Sequence, residues 1–181
     1  MRLPISSDSS APTDQNMGIE IERKFLVVGD GWQKAARPGC SMRQGYLAQS
    51  GSTSIVRVRC AEDRAFLTVK GQREGLVRPE FEYEIPYTEA EEMLRTLCRN
   101  PPIEKTRYRV KLGELSWDVD VFSGRLDGLV LAEVELKCVD QPVELPAWIG
   151  AEVTYDPQYG NAVLSEIPVM PSAPAPQRTS T

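Results

Sequence analysis

Gly18-Ile19-Glu20-Ile21-Glu22-Arg23-Lys24-Phe25 is the stretch on which the fold turns. In a β-strand every second side chain points to the same face, so Glu20, Glu22 and Lys24 share one surface. Two carboxylates and an ammonium packed on one strand face describe the lining of a site better than an ordinary exterior.

The same alternation recurs outward from this point. Arg57-Val58-Arg59 puts two guanidinium groups opposite Val56, Val58 and Cys60, and Phe66–Gly71 sets Lys70 opposite Leu67 and Val69. Glu80-Phe81-Glu82-Tyr83-Glu84-Ile85 alternates acid with bulky apolar residues, and Lys105-Thr106-Arg107-Tyr108-Arg109-Val110 does so with bases. Trp117-Asp118-Val119-Asp120-Val121 and Ala132-Glu133-Val134-Glu135-Leu136 complete the series. Such segments predict an antiparallel sheet with one apolar and one polar face. Any one of them alone fits a solvated outer face with cross-strand ion pairs. Together they fall in same-sign blocks, and like charges side by side cost energy unless something bound lies between them. A barrel whose polar interior holds a charged ligand and metal ions relieves that repulsion.

Composition narrows the chemistry. A chain of 181 residues is most simply one domain with a full core. A formal net charge of −5 argues against nonspecific nucleic-acid binding, while bases gathered on particular strands still allow a local anion site. Cys40, Cys60, Cys98 and Cys138 are widely spaced with no C-x-x-C pair, which fits buried thiols in a reducing compartment. No run approaches the roughly 20 apolar residues of a membrane span, and the N-terminus lacks an apolar signal core. The expectation is a soluble cytoplasmic protein with neither nucleic acid nor membrane as partner; a second copy of the chain stays compatible with all of this. Histidine is absent, which removes the usual general base and His-ligated zinc. Chemistry must then run on carboxylates, Lys, Arg, Tyr or a metal-bound water, and oxygen-only ligands favour Mg²⁺ or Mn²⁺.

Residues 1–16 are polar, Ser-rich and without period, and 168–181 are rich in Pro, Ala, Ser and Thr; both are expected to be disordered, leaving 17–167 as the folded domain. A strand over Ser41–Ala48, a Gln49-Ser50-Gly51-Ser52 turn and a strand over Ser54–Ala61 are expected. Thr88-Glu89-Ala90-Glu91 has the form of a capping box, followed at helical spacing by Ala90, Met93, Leu94 and Leu97. A second helix is expected from Asp156-Pro157 through Val163-Leu164, and a short helical turn around Pro146–Ile149.

The charged faces offer two sets: Lys24, Arg57, Arg59, Lys70, Lys105 and Arg107 with Arg109 at a strand end, and Glu20, Glu22, Glu80, Glu82, Asp118, Asp120, Glu133 and Glu135 with Glu84 further along. Arg binds phosphate oxygens bidentately and Lys adds a compact charge. Six bases converging in one cavity suit several adjacent phosphates. Carboxylates two apart on a strand can share a divalent ion.

Ordered along the chain, these residues resemble the CYTH-domain proteins, the triphosphate tunnel metalloenzymes. The likeness starts at Glu20-x-Glu22-x-Lys24. It continues through Arg43-Gln44-Gly45-Tyr46-Leu47, Arg57-x-Arg59, Lys70, Glu80-x-Glu82, Glu104-Lys105-Thr106-Arg107-Tyr108, Asp118-x-Asp120, Glu133-x-Glu135, Glu152-Val153-Thr154 and Tyr159-x-Asn161. The resemblance implies a mainly β, α+β fold: an eight-stranded antiparallel β-barrel forming a tunnel, with a charged interior and flanking helices. It implies that Lys24, Arg57, Arg59, Lys70, Lys105 and Arg107 hold a triphosphate. By the same likeness Glu20, Glu22, Glu133 and Glu135, with Asp118 and Asp120 beside them, hold Mg²⁺ or Mn²⁺, two ions per site. Glu80, Glu82, Glu84 and Arg109 are expected to line the tunnel. Glu20 or Glu22 is the candidate to accept a proton, and Lys24 joins them as a catalytic candidate. Family members hydrolyse inorganic tripolyphosphate, thiamine triphosphate or nucleoside triphosphates, and some cyclise ATP. Inorganic tripolyphosphate is the first expectation here, because Phe81, Tyr83, Tyr108 and Trp117 fall on the expected packing face and leave no evident purine pocket. The alternatives are an adenylate cyclase, a thiamine or nucleoside triphosphatase, and a non-catalytic polyphosphate-binding module.

Overall fold

Eight strands close into an antiparallel barrel in the computed structural model, which describes residues 18–47 and 53–168. The strands are β1 (Ile19–Val27), β2 (Cys40–Tyr46), β3 (Ile55–Ala61), β4 (Arg64–Lys70), β5 (Val77–Ile85), β6 (Ile103–Leu112), β7 (Leu115–Phe122) and β8 (Val130–Glu135). Their order around the ring is β5-β4-β3-β2-β6-β7-β8-β1, and β1 closes on β5 through Ile19↔Pro79, Glu20↔Arg78 and Ile21↔Val77. A ninth strand, β9 (Ile149–Glu152), lies along the C-terminal half of β1 through Phe25↔Glu152 and Val27↔Ile149. It is too short and too mixed to show a period, and the sequence reading caught only the turn before it, where Ile149 N donates to Pro146 O.

The barrel is inside out relative to an ordinary sheet protein. Its largest apolar cluster lies on the outer face of β1, β6, β7 and β8, with Phe25, Val110, Trp117, Val119, Ala132 and Val134 buried. Trp32 and Trp148, from the segments after β1 and before β9, cover that face. Trp117 is the hinge of the packing, 5.6 Å from Phe25 and 5.6 Å from Trp148 between ring centroids. Helix α1 (Tyr87–Thr96) caps the outer face of β3 and β4, burying Ala90 and Leu94 against Val58, Cys60 and Ala65. The chain after α1 passes so near β2 that a Cβ on Gly45 would come within 2.5 Å of Cys98 Sγ, so only glycine fits there.

Several local expectations change. The capping box at Thr88–Glu91 does not form: α1 starts at Tyr87 after Pro86, and Glu91 is drawn away to Arg43 on the outer face of β2. Asp156 does accept from Gln158 N at 3.0 Å, but the helix it starts is broken. Gly160 is extended at φ −69°, ψ 128°, dividing a 3₁₀ turn (Pro157–Tyr159) from the four-residue α2 (Asn161–Leu164). Phe81 and Tyr83 point outward on β5 as the alternation requires, yet are 50% and 58% exposed; α1 reaches the Ile85 end of that strand only. The expected terminal disorder and the Gln49–Ser52 turn lie outside the described residues, except Pro168. Among the described residues no helix is long and apolar enough to cross a membrane.

The interior is charged over part of its length only. At one end the inward residues Leu26, Ile55, Tyr46, Ile103, Phe122 and Leu131 pack with Val153, Ala162 and Leu164. The segment around α2 thus closes that end with apolar side chains, and the charged cavity lies beyond them.

Candidate active site

Inside the barrel is a cavity of about 1090 Å³. Strand alternation supplies its walls: Glu20, Glu22 and Lys24 from β1, Arg57 and Arg59 from β3, Lys70 from β4, and Glu80 and Glu82 from β5. Arg107 and Arg109 from β6, Asp118 from β7, and Glu133 and Glu135 from β8 complete the ring.

Three expected residues sit elsewhere. Lys105 and Asp120 do not line the cavity; their side chains are each 1% exposed and meet at 2.5 Å behind it. Glu84 shares the inward parity of Glu82, but its register partner Phe66 lies past the cavity. There it forms an exposed pair with Arg64 at 2.6 Å. Arg109 reaches the cavity only at its rim, 58% exposed and 3.0 Å from Asp118.

The cavity also recruits residues the sequence reading left out. Arg78 lies on the same face as Glu80 and Glu82, and Pro79 masked the continuation of that alternation. Arg73 comes from the β4–β5 loop, where no period could mark it, and meets Glu22 at 2.6 Å. Tyr46, Thr154, Tyr159 and Asn161, quoted above within the family likeness but given no site role there, line the apolar end.

Electrostatics divide the cavity in two. On one side acids are matched by bases. Lys24 Nζ is 3.0 Å from Glu133 Oε1. Arg107 reaches Asp120 at 2.6 Å, Glu133 at 2.8 Å and Asp118 at 3.0 Å. Burial opposes the charge of Lys24, but Glu133 and Glu22 outweigh it and hold the ammonium at about 12. Burial likewise opposes ionisation of Glu133, yet Lys24, Arg107 and Lys105 keep its carboxyl well below the usual range. Glu82 is also held low: burial opposes its ionisation, and Arg59 with the Thr68 hydroxyl overcomes that.

On the other side acids outnumber bases. Burial pushes the Glu22 carboxyl up, Glu133 and Glu20 push further, and Lys24 offsets only part. Burial followed by Glu20, Glu22 and Asp118 pushes Glu135 up too. Lys70 is 2.7 Å from Glu20 and 3.3 Å from Glu80. Oxygen donors with surplus negative charge are the donor chemistry of a hard divalent cation. Among the described residues no three of these acids converge as a ready cage, because Lys70 and Arg73 engage Glu20 and Glu22. A cation would be received by turning these carboxylates off their basic partners.

One consequence is measurable. The burial that raises Glu135, with the repulsion from Glu20, Glu22 and Asp118 that adds to it, destabilises the folded barrel at neutral pH and is relieved as falling pH protonates the group. Glu135→Gln is therefore expected to raise Tm by about 2 °C at pH 7 in EDTA, a modest figure because the group is partly exposed. The gain should shrink toward acid pH; an unchanged or lower Tm at neutral pH speaks against uncompensated repulsion.

With this geometry in view, the CYTH domain profile matches residues 18–168. The chain belongs to the CYTH family. It is 47% identical over 152 residues to an inorganic triphosphatase of Acetivibrio thermocellus, covering 84% of this chain and 96% of the relative. It is 41% identical over 152 residues to one of Nitrosomonas europaea, covering 81% and 96%. Among solved structures, the CYTH barrel is similar to an inorganic triphosphatase at 38% identity and a TM-score of 0.58, over 81% of this chain and 97% of that one. The match spans both charged zones and the closed end formed around α2.

Proposed function

We propose that this CYTH barrel hydrolyses inorganic tripolyphosphate to pyrophosphate and phosphate. The observation that carries the reading is the pairing of two zones in one cavity: Lys24, Arg57, Arg59 and Arg107 beside Glu20, Glu22 and Glu135. The identity to two inorganic triphosphatases supports it.

The substrate would be a small polyanion. Lys24, Arg57, Arg59, Lys70 and Arg107 grip the phosphates, with charge and geometry set before the substrate arrives, as electrostatic catalysis requires. Lys105 and Asp120 act from behind, holding Arg107 in place. Water attacks a terminal phosphorus, the bond to the bridging oxygen breaks, and pyrophosphate leaves. Glu20 or Glu22 takes the water's proton, both carboxylates facing the cavity from β1. Glu20, Glu22, Asp118, Glu133 and Glu135 would hold Mg²⁺ or Mn²⁺, two ions in all. A divalent ion held by these residues would supply charge neutralisation and would make the attacking water easier to deprotonate. Glu80 and Glu82 orient the bases, Arg57 being 3.1 Å and Arg59 3.0 Å from Glu82. The four cysteines are unbonded, which supports a reducing cytoplasm as the setting, although only Cys60 is a buried thiol: Cys40 and Cys98 are part-exposed and Cys138 is exposed.

The test is release of phosphate and pyrophosphate in equal amounts from tripolyphosphate with Mg²⁺ or Mn²⁺. Turnover should fall to background in EDTA and return when the ion is restored. Full turnover in EDTA would remove the metal from the account.

A further inference from the structure

The geometry points to Tyr46 as a further substrate ligand, a neutral donor to a phosphoryl oxygen set among the cations, with Gln44 as the residue that positions it. This rests on the triphosphate reading of the same cavity.

Tyr46 and Gln44 are successive inward residues of β2, and both face arginines across the barrel wall. The register pairs Tyr46 with Arg57 and Gln44 with Arg59 on β3. The Tyr46 ring packs into the apolar end with Ile103 and Phe122, and the residue also lines the charged cavity. It therefore stands at the boundary between the two.

Gln44 is 0% exposed and donates from Nε2 to the Tyr46 hydroxyl oxygen at 2.8 Å. A phenol carries one proton besides its lone pairs, so a bond accepted from Gln44 leaves that proton for another acceptor. Among the described residues none takes it. The same two cross-strand rungs hold other unspent groups: Arg57 Nε, Arg59 Nε and Gln44 Oε1 are buried without partners among the described residues. Buried polar groups are ordinarily satisfied, and of these three the two guanidinium Nε donors of Arg57 and Arg59 are what a bound anion would complete, Gln44 Oε1 being an acceptor. The isosteric Phe would serve packing alone. Burial pushes the Tyr46 phenol up to about 12, so it stays protonated and able to donate. Because it brings no charge, it can approach a phosphoryl oxygen between Arg57 and Lys24 without adding to cation repulsion.

The test is calorimetric titration of inorganic tripolyphosphate in EDTA against the wild-type chain, Tyr46→Phe, Gln44→Met and the double variant. Tyr83→Phe, on the outer face, is the control. Tyr46→Phe is expected to weaken binding by about tenfold or more, the usual loss for a hydrogen bond to a charged acceptor. Gln44→Met should weaken it less, and the double variant should be no weaker than Tyr46→Phe, since Gln44 acts through the hydroxyl. Additive losses would overturn the positioning role. Unchanged binding by Tyr46→Phe, with binding lost in Lys24→Ala, would overturn the Tyr46 role and leave the triphosphate site standing. No binding by the wild-type chain would overturn both. As a readout independent of substitution, 3-fluorotyrosine at position 46 should shift its ¹⁹F resonance when tripolyphosphate is added, and a silent resonance counts against the contact.

Discussion

Lys24→Ala is expected to lower kcat/KM for tripolyphosphate by about 100-fold while the barrel stays folded. Lys24 stands where the two halves of the cavity meet, with Glu133 at 3.0 Å and Glu22 among the carboxylates that hold up its charge. At about 12 its ammonium is a permanent charge at any working pH. A phosphate seated against it would meet a donor already desolvated and oriented, so the loss should fall on kcat as well as on KM. The fold survives because Glu133 keeps Arg107 at 2.8 Å. Lys34→Ala, on the exposed segment after β1, should match the wild-type chain in the same assay. A Lys24→Ala variant within threefold or so of wild type would dismiss it as a substrate ligand.

The second large effect is on stability. Asp120→Asn should cost about 3–5 kcal/mol, because it strands Lys105 and Arg107 without their buried counter-charge. That is a large share of the roughly 5–15 kcal/mol that holds a domain of this kind folded. Burial pulls the Lys105 ammonium down to about 8 even with Asp120 at 2.5 Å. An unfolded lysine titrates near 10.4, so between those values the unfolded chain binds more protons and stability from this group rises with pH. It is lost as pH falls from about 10 to 8. Without Asp120 the folded-state value drops further and the window widens downward. Urea unfolding should thus show a larger deficit for Asp120→Asn at pH 7 than at pH 10, and Lys105→Met in the same chain should recover part of it. A deficit independent of pH would mean Lys105 does not carry the buried charge.

Most of the barrel could be read from one rule, that alternate residues share a face. Glu20-x-Glu22-x-Lys24 and its sister strands announced which side chains would meet, since that parity is local and survives any register. What parity could not show was depth. Lys105 and Arg107 share a face, yet Arg107 reaches the cavity and Lys105 lies behind it, because depth follows position along the strand and Lys105 stands opposite Phe122 of the apolar end. Glu84 passes the end of the cavity for the same reason, and Arg73 sits in a loop where there is no period to read. Tyr46 has uncharged neighbours in Arg43-Gln44-Gly45-Tyr46-Leu47 that mark no site; its contact with Gln44 and its place beside Arg57 exist only once β2 and β3 are paired. The covering of the outer face was likewise invisible: Trp117 is fully buried while Phe81 and Tyr83 are open, although all three obey one alternation.

A cavity lined by Lys24, Arg57, Arg59 and Arg107, with no evident purine pocket, should prefer the bare triphosphate as substrate. The most direct measurement is ³¹P NMR of the purified chain with Mg²⁺ and equal amounts of tripolyphosphate, ATP and thiamine triphosphate in one tube. Tripolyphosphate should disappear first, giving phosphate and pyrophosphate in equal amounts while the two organic triphosphates persist. Earlier loss of ATP with cyclic AMP formed, earlier loss of thiamine triphosphate, or no loss of any of the three would contradict it.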